Sequence, residues 1–315
     1  MTDGIRVFDR RIVRLHRDRA TRRWREHDFL FREAASRLSE RLDEVRRVFP
    51  RALDLGGHGG VLAPLIANRG GIDTLVETDL SPAMVGRACA RRLAPGRPLA
   101  VVADEECLPF AEGAFDLVLS CLSLHWVNDL PGTLFQVRRA LKPDGLLLAS
   151  LLGGETLKEL RQALTEAELA ESGGVSPRIS PFLDVRDAGA LLQRAGFALP
   201  VVDSDTWTVT YASALDLMRD LRGMGESNAV AERVHRFTRR STLLRATAIY
   251  ESMFADDKQR VPATFQVITL TAWAPHASQQ KPLKPGSAAH RLAAALGGVE
   301  RSAGDKTAPG ERRRA

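Results

Sequence analysis

The side chains best suited to chemistry are three carboxylates carried by successive apolar runs: Asp54 in ALDLGGHGG, Asp79 closing DTLVETD, and Asp104 closing PLAVVAD. A carboxylate at the end of a strand can accept hydrogen bonds from ribose hydroxyls, and a further one can meet an adenine amino group. Gly56, Gly57, Gly59 and Gly60 follow Asp54 as four glycines in a five-residue span, ahead of the helix-compatible segment VLAPLIANR. Bare backbone allows a tight turn and lets a ligand lie against the chain. A strand, a glycine turn and a helix start together make a nucleotide-shaped cradle.

The glycine spacing narrows the ligand. A dinucleotide fingerprint starting at Gly57 keeps Gly59 but finds Leu62 in its third position, and no Gly-Lys-Ser/Thr follows the turn as a phosphate loop requires. Three carboxylates without a phosphate motif suit a nucleoside without phosphates, and S-adenosylmethionine fits, with its ribose, adenine and zwitterionic tail. Methyl transfer from a sulfonium works by positioning the acceptor and excluding water. It needs no nucleophile, and no Ser/His/Asp or Cys/His arrangement suggests one. A general base helps if the acceptor carries a proton, and His125, just past an apolar strand, is the candidate. The alternative is that His125 and Trp126 cap that strand and pack beneath the next helix. Met224, Glu226 and Asn228, in GMGESN, read as an acceptor lid hinged on two glycines or as a helix C-cap. Trp207 and Tyr211 read as core. His16-Arg17-Asp18 has the short spacing of an iron triad, but positions i and i+2 diverge on a helix. The tripeptide therefore reads as surface, and no metal site is expected.

The elements that must hold these residues alternate. RALDL, DTLVET, PLAVVA, FDLVLSCLSL and LLLASLL read as strands; VLAPLIANR, PAMVGRACARR and PGTLFQVRRAL read as helices between them. Near-continuous apolar strands alternating with helices imply a parallel sheet covered on both faces. Residues 8–48 read as a helical arm ended by Pro50. Beyond Gly153 come helices in ETLKELRQALTEAELAE, DAGALLQRAGF and SALDLMRDLRGMG, a strand VVDSDTWTVTY, a helix over 229–253 and a last strand ATFQVITLTAWA. The expected organisation is an arm over 1–49, a catalytic domain over 50–275 with a helical insertion at about 172–255, and a disordered tail over 276–315.

Composition bounds the rest. A chain of 315 residues that is 44% hydrophobic and 27% charged is an ordinary globular protein. No apolar run is long enough to span a bilayer, and the first residues show neither a secretory nor a transit signal. Cys89, Cys107 and Cys121, odd in number and without CxxC spacing, read as reduced thiols. A cytoplasmic location follows, with peripheral contact at the inner face of the membrane left open. Residues 1–51 carry fifteen arginines against nine acids, the whole of the +6 surplus. Interspersed acids make this a solvated helical face, and no aromatic ladder or zinc spacing points to nucleic acid.

DLGGHGG, DLSPAMV, ADEECLPF, FDLVLS and ALKPDG resemble, in order and spacing, the motifs of class I S-adenosylmethionine-dependent methyltransferases. The resemblance implies a Rossmann-like α/β fold whose seven-stranded, mostly parallel sheet has an antiparallel last strand, here ATFQVITLTAWA. It also implies that Asp54 and Gly56 line the methionine end, Asp79 holds the ribose and Asp104 the adenine. Gly57, Gly60, Leu80, Glu105 and Ser120 are counted as further cofactor-side positions, and Trp126 joins Met224, Glu226 and Asn228 on the acceptor side. His58 stands where the family has its second glycine. A narrower resemblance covers nearly the whole chain: VFDRRIVRLHRDRA, SLSLHWVNDLP, GGETLKELR, SPRISPF, LRGMGESN and VPATFQ are similar to the methyltransferase-like respiratory complex I assembly factor 5 family. That implies a protein substrate, a complex I subunit, and either methylation or arginine hydroxylation. The malonyl-carrier-protein methyltransferases are similar over the first half, and a non-enzymatic assembly chaperone is the remaining alternative.

Overall fold

The computed structural model describes residues 6–91, 99–280 and 297–298. The chain divides into a unit spanning Met1–His276 and a second spanning Ala277–Ala315. The disordered tail expected over 276–315 therefore lies almost wholly outside the described residues.

Seven strands form one sheet: β1 (Arg51–Leu55), β2 (Thr74–Asp79), β3 (Leu99–Val102), β4 (Phe115–Cys121), β5 (Leu141–Leu152), β6 (Ala198–Tyr211) and β7 (Val261–Trp273). Their spatial order is β3-β2-β1-β4-β5-β7-β6. The β1–β5 ladders are parallel, whereas β7 runs antiparallel to both β5 and β6. The last strand is antiparallel, as expected, and lies inside the sheet rather than at its edge.

Alternation along the central strands builds two cores. Leu117, Leu119 and Cys121 of β4 face one side, together with Leu146 and Leu148 of β5. Val118 of β4 and Leu147, Ala149 and Leu151 of β5 face the other. Each buried leucine contributes roughly 1.5–3 kcal/mol by leaving water. The first face is covered by α3 (Phe29–Asp43), α4 (Ala63–Ile66), α7 (Lys158–Ser172), α9 (Ala214–Met224) and α10 (Arg240–Phe254). On the second face lie α6 (Leu130–Ala140) and α8 (Val185–Arg194). A third, small cluster of Phe8, Val13, Trp126, Ala229 and Val230 holds the N-terminal helix α1 (Arg10–Ala20).

Three helices differ from expectation. The arm is interrupted by a 3-10 turn, Thr21–Arg23, and the short α2 (Trp24–His27) before α3 begins. The segment VLAPLIANR is helical only over Ala63–Ile66, because Gly59 and Gly60 both hold left-handed backbone, at φ +71° and +81°, and delay its start. Residues 229–239 are not helical. Their backbone is engaged by the N-terminal segment instead, through Asp9 N–H to Ala229 O at 2.8 Å and Ala231 N–H to Val7 O at 2.8 Å. Helix α5 (Pro82–Ala90) begins as expected, with Ser81 accepting from Met84 N–H and Pro82 in the first turn.

Candidate cofactor and acceptor site

The strand order reverses between β1 and β4, where parallel sheets open a crevice at their carboxyl ends. Strand β1 delivers Gly56 into it at φ +72°, and a side chain there would run into Ser123 Oγ and Glu105. Gly57 donates its N–H to Thr78 O at 2.8 Å and lies close over the Asp54 carboxylate. Gly60 is overlain by the guanidinium of Arg91, which donates to Gly60 O and to Glu77.

His58 explains its departure from glycine. It adopts φ +47°, and its buried ring packs between Trp24 of α2 and Phe31 of α3, at centroid distances of 5.7 and 4.5 Å. Its Nε2–H donates to Leu122 O at 3.1 Å. Burial, aided by the charge of Arg17, lowers its pKa to about 3, so the imidazole is neutral. The ring points into the arm, while its backbone N–H donates to Asp79 Oδ2 at 3.0 Å. Trp24 and Phe31 thus fix a turn that the sequence alone left unexplained.

The carboxylates converge as expected, and they meet two arginines. Asp79, at the end of β2, also accepts from Ser81 N–H at 2.8 Å and from Arg17 at 3.3 Å. Glu105 accepts from Arg17 at 2.9 Å and from Ser123 Oγ at 2.6 Å, and it pairs with Arg10. Burial alone would raise the Glu105 carboxyl, but Arg17 and Arg10 hold it well below the usual carboxylate range. Asp104, half-buried, accepts from Arg10 at 2.6 Å. Arg17 is the correction here: the tripeptide His16-Arg17-Asp18 is not surface, since Arg17 is only 2% exposed and also donates to Ser123 Oγ at 2.8 Å. No sequence signal separates it from the arm's other arginines, because its partners lie 62 and 88 residues away.

Asp54 is fully buried, and neither carboxylate oxygen has a hydrogen-bond partner among the described residues. Burial pushes its carboxyl well above the usual range, and Glu77, facing it across β1 and β2, adds to the effect. Leu80 lines an open cavity of about 470 Å³ beside Arg10 and Asp104. Ser120 is structural in this arrangement: its Oγ donates to Leu55 O at 2.8 Å and ties β4 to β1.

The acceptor-side residues assemble a second centre. Beyond β4 the chain turns through Leu124–Trp126, and His125 Nε2 and Trp126 Nε1 both donate to Glu226 Oε2 at 3.0 Å. Burial opposes the charge on Glu226, yet His125 holds its pKa below the ordinary value. His125 Nδ1 has no hydrogen-bond partner among the described residues. Glu226 follows Gly225, the left-handed C-cap of α9. It lines an apolar cavity of about 180 Å³ with Trp126, Leu157, Phe182 and Asn228. Asn228 also tethers the loop by donating to Pro177 O at 2.7 Å. Met224 differs from expectation: it is buried in the main core, because α9 turns that face inward. Tyr211 is core and donates to Asp220 at 3.1 Å, while Trp207 packs at the core's edge beneath the Arg37 guanidinium.

Residues 53–149, from β1 into β5, match the model of the methyltransferase domain. Over 287 residues the chain is 44% identical to the protein named arginine-hydroxylase NDUFAF5, mitochondrial, of Danio rerio, covering 90% of this chain and 88% of that one. The chain belongs to the NDUFAF5 family. Likeness to the malonyl-[acyl-carrier protein] O-methyltransferase of Halorhodospira halophila is not confined to the first half as expected: it is 38% identical over 84% of this chain and 88% of that protein. In structure, a candidate methyltransferase of Bacillus halodurans superposes with a TM-score of 0.54 at 16% identity, over 78% of this chain and all of that one. These likenesses make the sheet a class I methyltransferase fold and the chain an enzyme of that fold, with S-adenosylmethionine as the cofactor of its methyltransferase domain. The residues fit that cofactor in kind: bare backbone at Gly56, acceptors at Asp79 and Asp104, and unpartnered carboxylate oxygens on Asp54.

Proposed function

We propose that this enzyme binds S-adenosylmethionine at Gly56, Asp79 and Asp104 and modifies an arginine side chain of a protein substrate, a subunit of respiratory complex I. One observation carries the acceptor assignment: Glu226 is the single carboxylate facing a cavity whose walls are mostly apolar, with Arg178, Ser180, Ser227 and Asn228 as its other polar lining. Such a cavity takes the aliphatic stem of a long cationic side chain, and a cavity of about 150 Å³ already admits a benzene-sized group. Glu226 then meets the guanidinium, and Trp126 offers an aromatic face to it. A malonyl group would bring its own carboxylate against Glu226, a like-charge contact that disfavours that acceptor. Arg178 does not offset this, because Glu168 holds it at 2.6 Å.

When bound, S-adenosylmethionine supplies an electrophilic methyl group on a sulfonium. His125 lies behind Glu226, which fixes its ring through Nε2, and is the residue we assign as base for the acceptor. Leu157 and Phe182 exclude water from the acceptor. Hydroxylation is the second reading, supported by the name arginine-hydroxylase that relatives at 38–44% identity carry. Intact masses of complex I subunits from a strain lacking this chain decide between them. A deficit of about 14 Da identifies methylation and one of about 16 Da hydroxylation; no deficit overturns the enzymatic reading.

A further inference from the structure

All three carboxylates of the cofactor cradle that face the N-terminal helix already hold cations, and both cations come from that helix. Arg17 bridges Asp79 and Glu105, and Arg10 bridges Asp104 and Glu105. Ser123 Oγ, which covers the bare face of Gly56, is bonded into the same network by Arg17. A nucleoside bound across Gly56, Asp79 and Asp104 needs the acceptors that these two guanidinium groups engage.

The attachment of α1 suits a displaceable element. Val13 and Ile12 of its apolar side belong to the small third cluster, and only Ala20, its last residue, reaches the main core. It is joined to the arm by the 3-10 turn Thr21–Arg23. Buried Arg17 leaves its Nε without a hydrogen-bond partner among the described residues, so its docked state is incompletely satisfied. A buried ion pair gains little net stability over its solvated parts, which keeps release of the helix within reach of a ligand's binding energy.

We propose that α1 is an internal occupant of the cofactor site, and that docked α1 and S-adenosylmethionine compete for Asp79, Glu105 and Ser123. The proposal rests on the cofactor assignment above. Competition lowers apparent affinity by the fraction of molecules in which the helix is released. Removing the Arg17 guanidinium therefore strengthens binding.

Calorimetric titration of the full chain with S-adenosylmethionine, in the parent and in Arg17→Ala, reads the competition. The expected result is binding at least about fivefold tighter in Arg17→Ala. Hydrogen exchange on the unmodified chain supplies a reading that no folding defect can confound: saturating S-adenosylmethionine should speed exchange of amides over 10–20. Weaker binding by Arg17→Ala, or greater protection of 10–20 with cofactor, would overturn the proposal and make Arg17 a cofactor anchor. Saturable binding by the parent chain upholds the cofactor assignment whichever way Arg17 acts. Absence of binding in both proteins removes the assignment and the competition together.

Discussion

The imidazole of His58 lies parallel to the indole of Trp24, with planes within 2° and centroids 5.7 Å apart. A residue of the cofactor turn is thereby stacked on the helical arm, and the arm becomes part of the turn's geometry. The left-handed backbone at His58 costs on the order of 1 kcal/mol, and the stack and the hydrogen bond to Leu122 offset it.

His58→Gly relieves that backbone cost but empties the space between Trp24 and Phe31. A net loss of roughly 2 kcal/mol is expected, because an unfilled aromatic-sized cavity outweighs the relief. Urea unfolding of the variant measures it.

Acid should unfold the protein through the same residue. The folded pKa of His58 is depressed from 6.5 to about 3. Its contribution is therefore complete above pH 6.5 and is lost as pH falls towards 3. Glu105, also depressed, adds a loss below its ordinary value of 4.5. Stability should fall by up to about 1.4 kcal/mol per pH unit and per group in these windows. Urea midpoints between pH 7 and pH 4 check this, and His58→Asn should flatten the upper part of the curve.

Asp54 acts with the opposite sign. Its carboxyl is raised, so the stability it contributes is present below pH 3.8 and is lost as pH rises through its folded value. Asp54→Asn removes that ionisation and should raise the melting temperature at alkaline pH relative to the parent, with the difference shrinking in acid. Thermal scans at pH 6 and pH 9 test the sign.

Glu226→Gln preserves shape while removing the charge that holds His125 and faces the cavity. Substrate modification should drop about a hundredfold with cofactor affinity unchanged. Complementing a deletion strain and weighing the complex I subunits gives the first readout, and calorimetry the second.

Asp79→Asn should weaken S-adenosylmethionine binding by about tenfold or more, the effect of losing one charged hydrogen-bond acceptor. Calorimetric titration measures it, and unchanged affinity would displace Asp79 from the site.

Much of this was legible from residue order. The strand periodicity, the glycine turn and the strand-end carboxylates are local signals, and the sheet assembles as they require. The pair His125 and Trp126 and the distant Glu226 were singled out from separate segments, and the fold brings His125 Nε2 and Trp126 Nε1 each to 3.0 Å from Glu226 Oε2. Arg17 was not legible, because an arginine in an arginine-rich helix looks solvated until distant acids are placed beside it. Residues 229–239 were misread because helix propensity there yields to backbone pairing with residues 7–9. Ser120 was counted among the cofactor-side positions with the family resemblance, but its hydroxyl is spent on the neighbouring strand.

Gly225 ends α9, and the place where a side chain would begin there lies 3.4 Å from Ala20 Cβ and 3.5 Å from the Cα of Arg17. The next residue is Glu226. One bare α-carbon therefore lies between α1 and the residue that carries the Glu226 carboxylate. A methyl group at this spot would just touch α1 at van der Waals distance, so its cost would fall on the left-handed backbone, at φ +82°, that lets the chain leave α9 towards Glu226.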